Sequence, residues 1–138
     1  MKTDKQTIGA RGEEEATSWL TGEGHTILKR NWRSGHLELD IITLKDRILH
    51  VVEVKTRSAG APVPPEVNVD HNKRQRMVSA AHAFLNSTDR ASLPADLEIW
   101  LDVLTVVFEE PAPRIEYFPQ AFIPVYVSGH YGRRVSKF

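Results

Sequence analysis

Apolar positions in this chain recur with two periods, and the periods mark out its elements. In residues 8–22, Ala16, Trp19 and Leu20 fall at i, i+3 and i+4, the spacing of one helix face. Gly22 and Gly24 supply a stop, while Gly9 and Gly12 weaken the first turn. The pattern then changes to period 2. "HTILKRNWR" (25–33) predicts a short strand. "LELDIITL" (37–44) alternates, sending Leu37, Leu39 and Ile41 to one face and Glu38, Asp40 and Ile42 to the other. "KDR" is a turn signal, and "ILHVVEVK" (48–55) completes a hairpin. Residues 57–69 hold three prolines and a glycine and predict a long loop, a kind of segment that often carries function. The helical period returns in residues 70–86, where Met77, Ala80, Ala81, Phe84 and Leu85 form a stripe and Asp70 or Asn72 can cap. "LEIWLDVLTVVF" (97–108) is a buried strand, and "RIEYF" (114–118) a final edge strand. The order α-β-β-β-α-β-β predicts an α/β fold, a mixed sheet flanked by helices.

The hairpin places charge where the pattern asks for core. Glu53 lies between Val52 and Val54, and Lys55 follows two residues later. A buried charge is costly unless it is paired or bound to a metal. A two-residue loop at 45–46 sets Glu38 opposite Glu53; a four-residue loop at 45–48 sets Asp40 opposite Glu53. In either register Glu38, Asp40, Glu53 and Lys55 share one sheet face. Carboxylates that close repel and raise each other's pKa. A hard divalent cation, Mg²⁺ or Mn²⁺, removes the conflict and keeps waters for chemistry at phosphate. A lysine beside the ligands can orient water or offset transition-state charge. The set suits metal-assisted phosphodiester hydrolysis. The same spacing fits a solvated sheet face carrying a cross-strand Lys–Glu pair equally well.

Composition narrows the classes. The 138 residues suit one domain, and 41% apolar with 26% charged residues is ordinary for a globular protein. With no cysteine, disulfides, thiolate metal sites and cysteine nucleophiles are excluded. No apolar run reads as a secretory signal or a membrane span, so the expectation is a cytoplasmic protein without membrane attachment. Eighteen basic residues balance eighteen acidic ones, which argues against indiscriminate coating of DNA. Locally, residues 25–57 carry seven basic and four acidic side chains, a modest positive field. Arg57, Lys73 and Arg76 flank the loop and the second helix, where cations can hold phosphate or simply form a solvated face. Six histidines are scattered without metal-ligand spacing. Of these, His36 and His71 could approach the hairpin, whereas His50 alternates away from Glu53. No glycine-rich phosphate loop is present, so NTP hydrolysis is not indicated.

At Asp40 and Glu53-Val54-Lys55 the sequence resembles the PD-(D/E)XK signature of restriction-endonuclease-like folds. More closely it resembles the YraN-like family, uncharacterised bacterial proteins described as endonucleases and similar to archaeal Holliday junction resolvases. The resemblance runs from about Gly9 to Phe122. It covers Gly12, Glu13 and Ala16; Asn31 and Arg33; "ELDII" (38–42); "VEVKTR" (52–57); Pro65-Glu66; Lys73; and Asp102. It implies a restriction-endonuclease-like domain over residues 1–123, with 124–138 an extension that is basic at its end. It implies Asp40 and Glu53 as metal ligands for Mg²⁺ or Mn²⁺, Lys55 as the catalytic lysine, and Glu13 at the edge of the site. Glu38 matches the family's glutamate beside the aspartate. The implied activity is nuclease action on DNA, with branched or structured DNA as one substrate class. A non-catalytic nucleic-acid-binding protein that keeps the fold is the alternative. Resolvase-like relatives pair up, so a homodimer is implied by analogy. Two positions depart from the pattern: Leu37 stands where the family usually has glycine, and Trp100 where it often has arginine.

Overall fold

A computed structural model describes residues 4–60 and 71–121. Helix α1 (Asp4–Gly22) leads into three strands, β1 (Thr26–Ser34), β2 (Leu37–Lys45) and β3 (Ile48–Ser58). Helix α2 (His71–Leu85) and a short 3₁₀ turn (Thr88–Arg90) precede β4 (Glu98–Phe108) and β5 (Arg114–Phe118). The expected order is therefore present, in a five-stranded sheet arranged β1-β2-β3-β4-β5. β3 and β4 run parallel and the other neighbours antiparallel, so the sheet is mixed. The parallel pair requires a crossover, and α2 lies on it. Among the described residues no helix is long and apolar enough to cross a membrane. Most of the predicted loop, the cap at Asp70, the Pro65-Glu66 match and the extension 124–138 lie outside the described residues.

Each sheet face is covered by one helix. Trp32, Leu39, Ile42, Leu49, Val51 and Leu101 meet Met77, Val78, Ala81 and Phe84 of α2. On the other face Ile41, Val52, Leu104 and Val106 meet Ala16 and Leu20 of α1. The stripe read from α2 faces the core as its period requires. Gly12 has a steric role inside α1: a Cβ there would overlap the Thr56 methyl of β3. Rather than only weakening the helix start, this glycine lets α1 approach the sheet closely.

The alternation expected of β2 fails. Leu39 and Ile41 do not share a face; Leu39 joins the α2 side and Ile41 the α1 side. The alternation breaks at Asp40, where the β1–β2 ladder steps from Trp32↔Leu39 to Arg30↔Ile41. Between those two β1 residues stands Asn31, with φ of 52°, a left-handed conformation that asparagine tolerates better than most residues.

Candidate functional site

The turn between β2 and β3 fixes the register. Asp46 and Arg47 both adopt positive φ, 52° and 61°, as a two-residue hairpin turn requires. Lys45 then pairs with Ile48, and the ladder runs to Ile41↔Val52. One more step in this register sets Asp40 opposite Glu53, the second of the two alternatives, reached through a tighter turn than expected. The ladder stops before that step. β2 continues beside β1 to Leu37↔Ser34, while β3 continues beside β4 to Ser58↔Phe108. The two strands part, leaving a fork with Asp40 on one prong and Glu53 on the other.

The fork explains the position of each carboxylate. Val54 N–H no longer has a strand partner on the β2 side, and it donates instead to Asp40 Oδ2 at 2.9 Å. Asp40 thus replaces a backbone acceptor. Burial raises its pKa first, the Glu53 charge second, and the Val54 bond only partly offsets them, so it is pushed up to about 7. Glu53 is 8% exposed. Its Oε2 lies 2.9 Å from Lys73 Nζ. Glu13 reaches the same region from α1; burial raises its pKa, as do the charges of Glu38 and Glu53, against an Asn31 hydrogen bond and Arg30. Burial works against the Lys73 ammonium, but the charge and hydrogen bond of Glu53 outweigh it and raise its pKa. Both helices therefore reach the fork, from opposite faces of the sheet.

The remaining candidates divide. Glu38, Glu53, Lys73 and Arg76 line a groove of about 120 Å³ together with His36. Glu38 itself is exposed and bound to Arg33 at 2.8 Å. Lys55 and Arg57 alternate with Glu53 along β3, both half-buried. Arg57 Nη1 donates to Thr56 O at 3.1 Å, and its Nε is buried without a hydrogen-bond partner among the described residues. The His71 side chain is outside the described set. Asn31, quoted in the sequence only as part of a motif, holds a positive φ in β1 and hydrogen-bonds Glu13; that motif was the one signal that could have singled it out.

Asp102 belongs to a different cluster. It is fully buried on the α1 side of the sheet. It accepts from His50 Nδ1 at 2.6 Å, from the Tyr117 hydroxyl, and from Gln120 N at 2.9 Å. His25 stacks near His50 with ring centroids 4.6 Å apart and shares a 2.6 Å hydrogen bond with Thr43. This network ties β2, β3, β4 and β5 to the residue just before β1, on the face away from Glu53, as the alternation of His50 predicts. Trp100, in place of the family's arginine, lies edge-on to His50.

Comparison with known sequences places the chain. The profile of "Uncharacterised protein family UPF0102" matches residues 12–106, a span that holds Glu13, the fork and Lys73. The chain belongs to this family. UPF0102 is the YraN-like family that the motifs resemble. A UPF0102 protein of Bacteroides thetaiotaomicron is 39% identical over 117 residues, 85% of this chain and 93% of its own. One from Anaeromyxobacter dehalogenans is 39% identical over 120 residues, 86% and 85% of the two chains. One from Nitratidesulfovibrio vulgaris is 44% identical over 89 residues, 64% and 66%.

The donor set at the fork suits a hard cation in kind: two carboxylates from different strands, with a third nearby from α1; burial first, and the charges of Glu53 and Glu13 after it, raise the pKa of Asp40. Among the described residues, no group of three or more His, Asp or Glu is placed so that it could hold a metal ion, so Asp40 and Glu53 offer a two-carboxylate set. Glu53 instead has an ammonium against it.

Proposed function

We propose that this UPF0102 protein is a divalent-metal-dependent nuclease that hydrolyses phosphodiester bonds of DNA, with branched or structured DNA as its substrate class. The observation that carries the reading is the fork, where Asp40 and Glu53 meet at the end of a ladder and both helices bring in a charged group. Family membership agrees with it without naming an activity. Asp40 and Glu53 are the residues to hold Mg²⁺ or Mn²⁺, with Glu13 at the edge. A cation so held supplies Lewis acidity and eases deprotonation of water. Lys55, two residues along the strand from Glu53, orients the attacking water or offsets charge gathering on the phosphate oxygens. Lys73, Arg76 and Arg57 are the phosphate contacts. Asp40, held near neutrality in pKa, takes up a proton readily when no cation is present.

The test is cleavage of duplex, flap and four-way-junction DNA with Mg²⁺ or Mn²⁺, comparing wild type with Asp40→Asn and Asp40→Ala. Metal-dependent cutting lost in both variants is the expected result. No cutting by wild type, or cutting that persists in the variants, removes the enzymatic reading.

A second reading keeps the fold and drops the chemistry. It is favoured by the Lys73–Glu53 pair, which already neutralises one proposed ligand. It expects salt-dependent DNA binding that survives Asp40→Ala, and no binding at low salt removes it.

A further inference from the structure

Lys73 sits in the first turn of α2, and that turn holds no acidic residue. A helix N-terminus carries partial positive charge, so a cation there is poorly placed unless an anion compensates. Among the described residues the anion that meets it is Glu53. The carboxylate side chain is 11% exposed and the lysine side chain 39%, so the pair bridges the core and the groove. The long lysine stem allows the ammonium to swing outward without moving the helix. Arg76, one turn further along α2, lines the same groove and opposes the retention of a second cation beside it.

Resting on the metal-nuclease reading above, we infer that Lys73 is the resident counter-cation of Glu53, that a divalent cation has to displace it, and that the displaced ammonium takes a phosphodiester oxygen. The exchange leaves both Glu53 and Lys73 compensated. Before it, Glu53 neutralises Lys73. After it, the divalent cation neutralises Glu53, and the phosphate supplies the anion that the start of α2 needs. Metal and phosphate then assist each other's binding through a single side chain, and the assistance is reciprocal.

The experiment is calorimetric titration of the metal-free protein with Mn²⁺ at pH 8, for wild type, Lys73→Met, Lys73→Arg and Asp40→Asn. Lys73→Met is expected to bind Mn²⁺ roughly 5-fold tighter, the size set by removing one partly exposed competing cation. Lys73→Arg keeps the charge and is expected to stay near wild type, and Asp40→Asn to lose binding. Unchanged or weaker affinity in Lys73→Met, with wild type binding normally, overturns the inference and leaves the nuclease reading standing. Absence of Mn²⁺ binding in wild type overturns both. For the second half, fluorescence-anisotropy titrations with duplex DNA measure how far Ca²⁺ strengthens binding. Greater strengthening in wild type than in Lys73→Met is expected; equal strengthening overturns the transfer of Lys73 to phosphate.

Discussion

Asp40 serves two ends with one side chain. Its oxygen closes the hydrogen bond that Val54 N–H would otherwise lack, and its charge sits against Glu53. These roles separate by substitution. Asn keeps an acceptor, whereas Ala leaves a part-buried N–H unpaired, which costs about 1 kcal/mol or more. Asp40→Ala is therefore expected to melt well below Asp40→Asn. The pH dependence follows from the pKa of about 7. An unfolded aspartate titrates near ~4, so the folded protein holds the proton more tightly. Ionisation then favours unfolding, and stability falls as pH rises from ~4 through about 7. Asp40→Asn removes that loss and is expected to gain about 2 kcal/mol or more over wild type between these limits, measured by denaturant unfolding. Residue type and spacing placed Asp40 and Glu53 near one another at one end of the hairpin, which is where the structure has them. The sequence did not carry the Lys73 partner, because a contact between the third strand and the second helix depends on the crossover between them.

Among the elements, strands and helices follow the apolar periods closely. β2 departs from its period at Asp40, beside which Asn31 of the neighbouring strand holds a positive φ. Alternation read within one strand does not register the backbone of the next. Gly12 is a similar case: its composition cue is helix weakening, and its role is a close approach to Thr56. Gly12→Ala gains about 1 kcal/mol of helix propensity but forces an overlap costing about 1–3 kcal/mol. The single variant is expected to be destabilised and to shift Glu13 away from the fork. In a Thr56→Ser background, where the obstructing methyl is gone, the same substitution is expected to stabilise. A double-mutant cycle in urea checks the change of sign.

Across the whole molecule, two buried titrations work against each other. Burial, then the neighbouring charges of His50 and Lys45, lowers the pKa of His25 to about 4. Because the unfolded chain binds that proton near ~6.5, stability is lost as pH falls from ~6.5 through about 4. Asp40 acts in the opposite sense over much of the same range, so the wild-type profile is expected to be flat. Asp40→Asn exposes the histidine slope, seen as an unfolding midpoint that climbs between pH 4 and pH 6.5. The polar network that contains His25 joins residues from four strands, β2 to β5, and no local pattern in the sequence announces it.

The fork has one further consequence, for how the chain holds together. Its charged groups come from α1, β2, β3 and α2, so a chain with either helix undocked has no complete site. A ligand of the fork is then a ligand of the folded state alone, and it stabilises by mass action, by about 2.7 kcal/mol at one hundred times its dissociation constant. Saturating Mn²⁺ is expected to raise the melting temperature of wild type and to leave Asp40→Asn unmoved. Amide protection should rise in both helices at once, although they lie on opposite sides of the sheet.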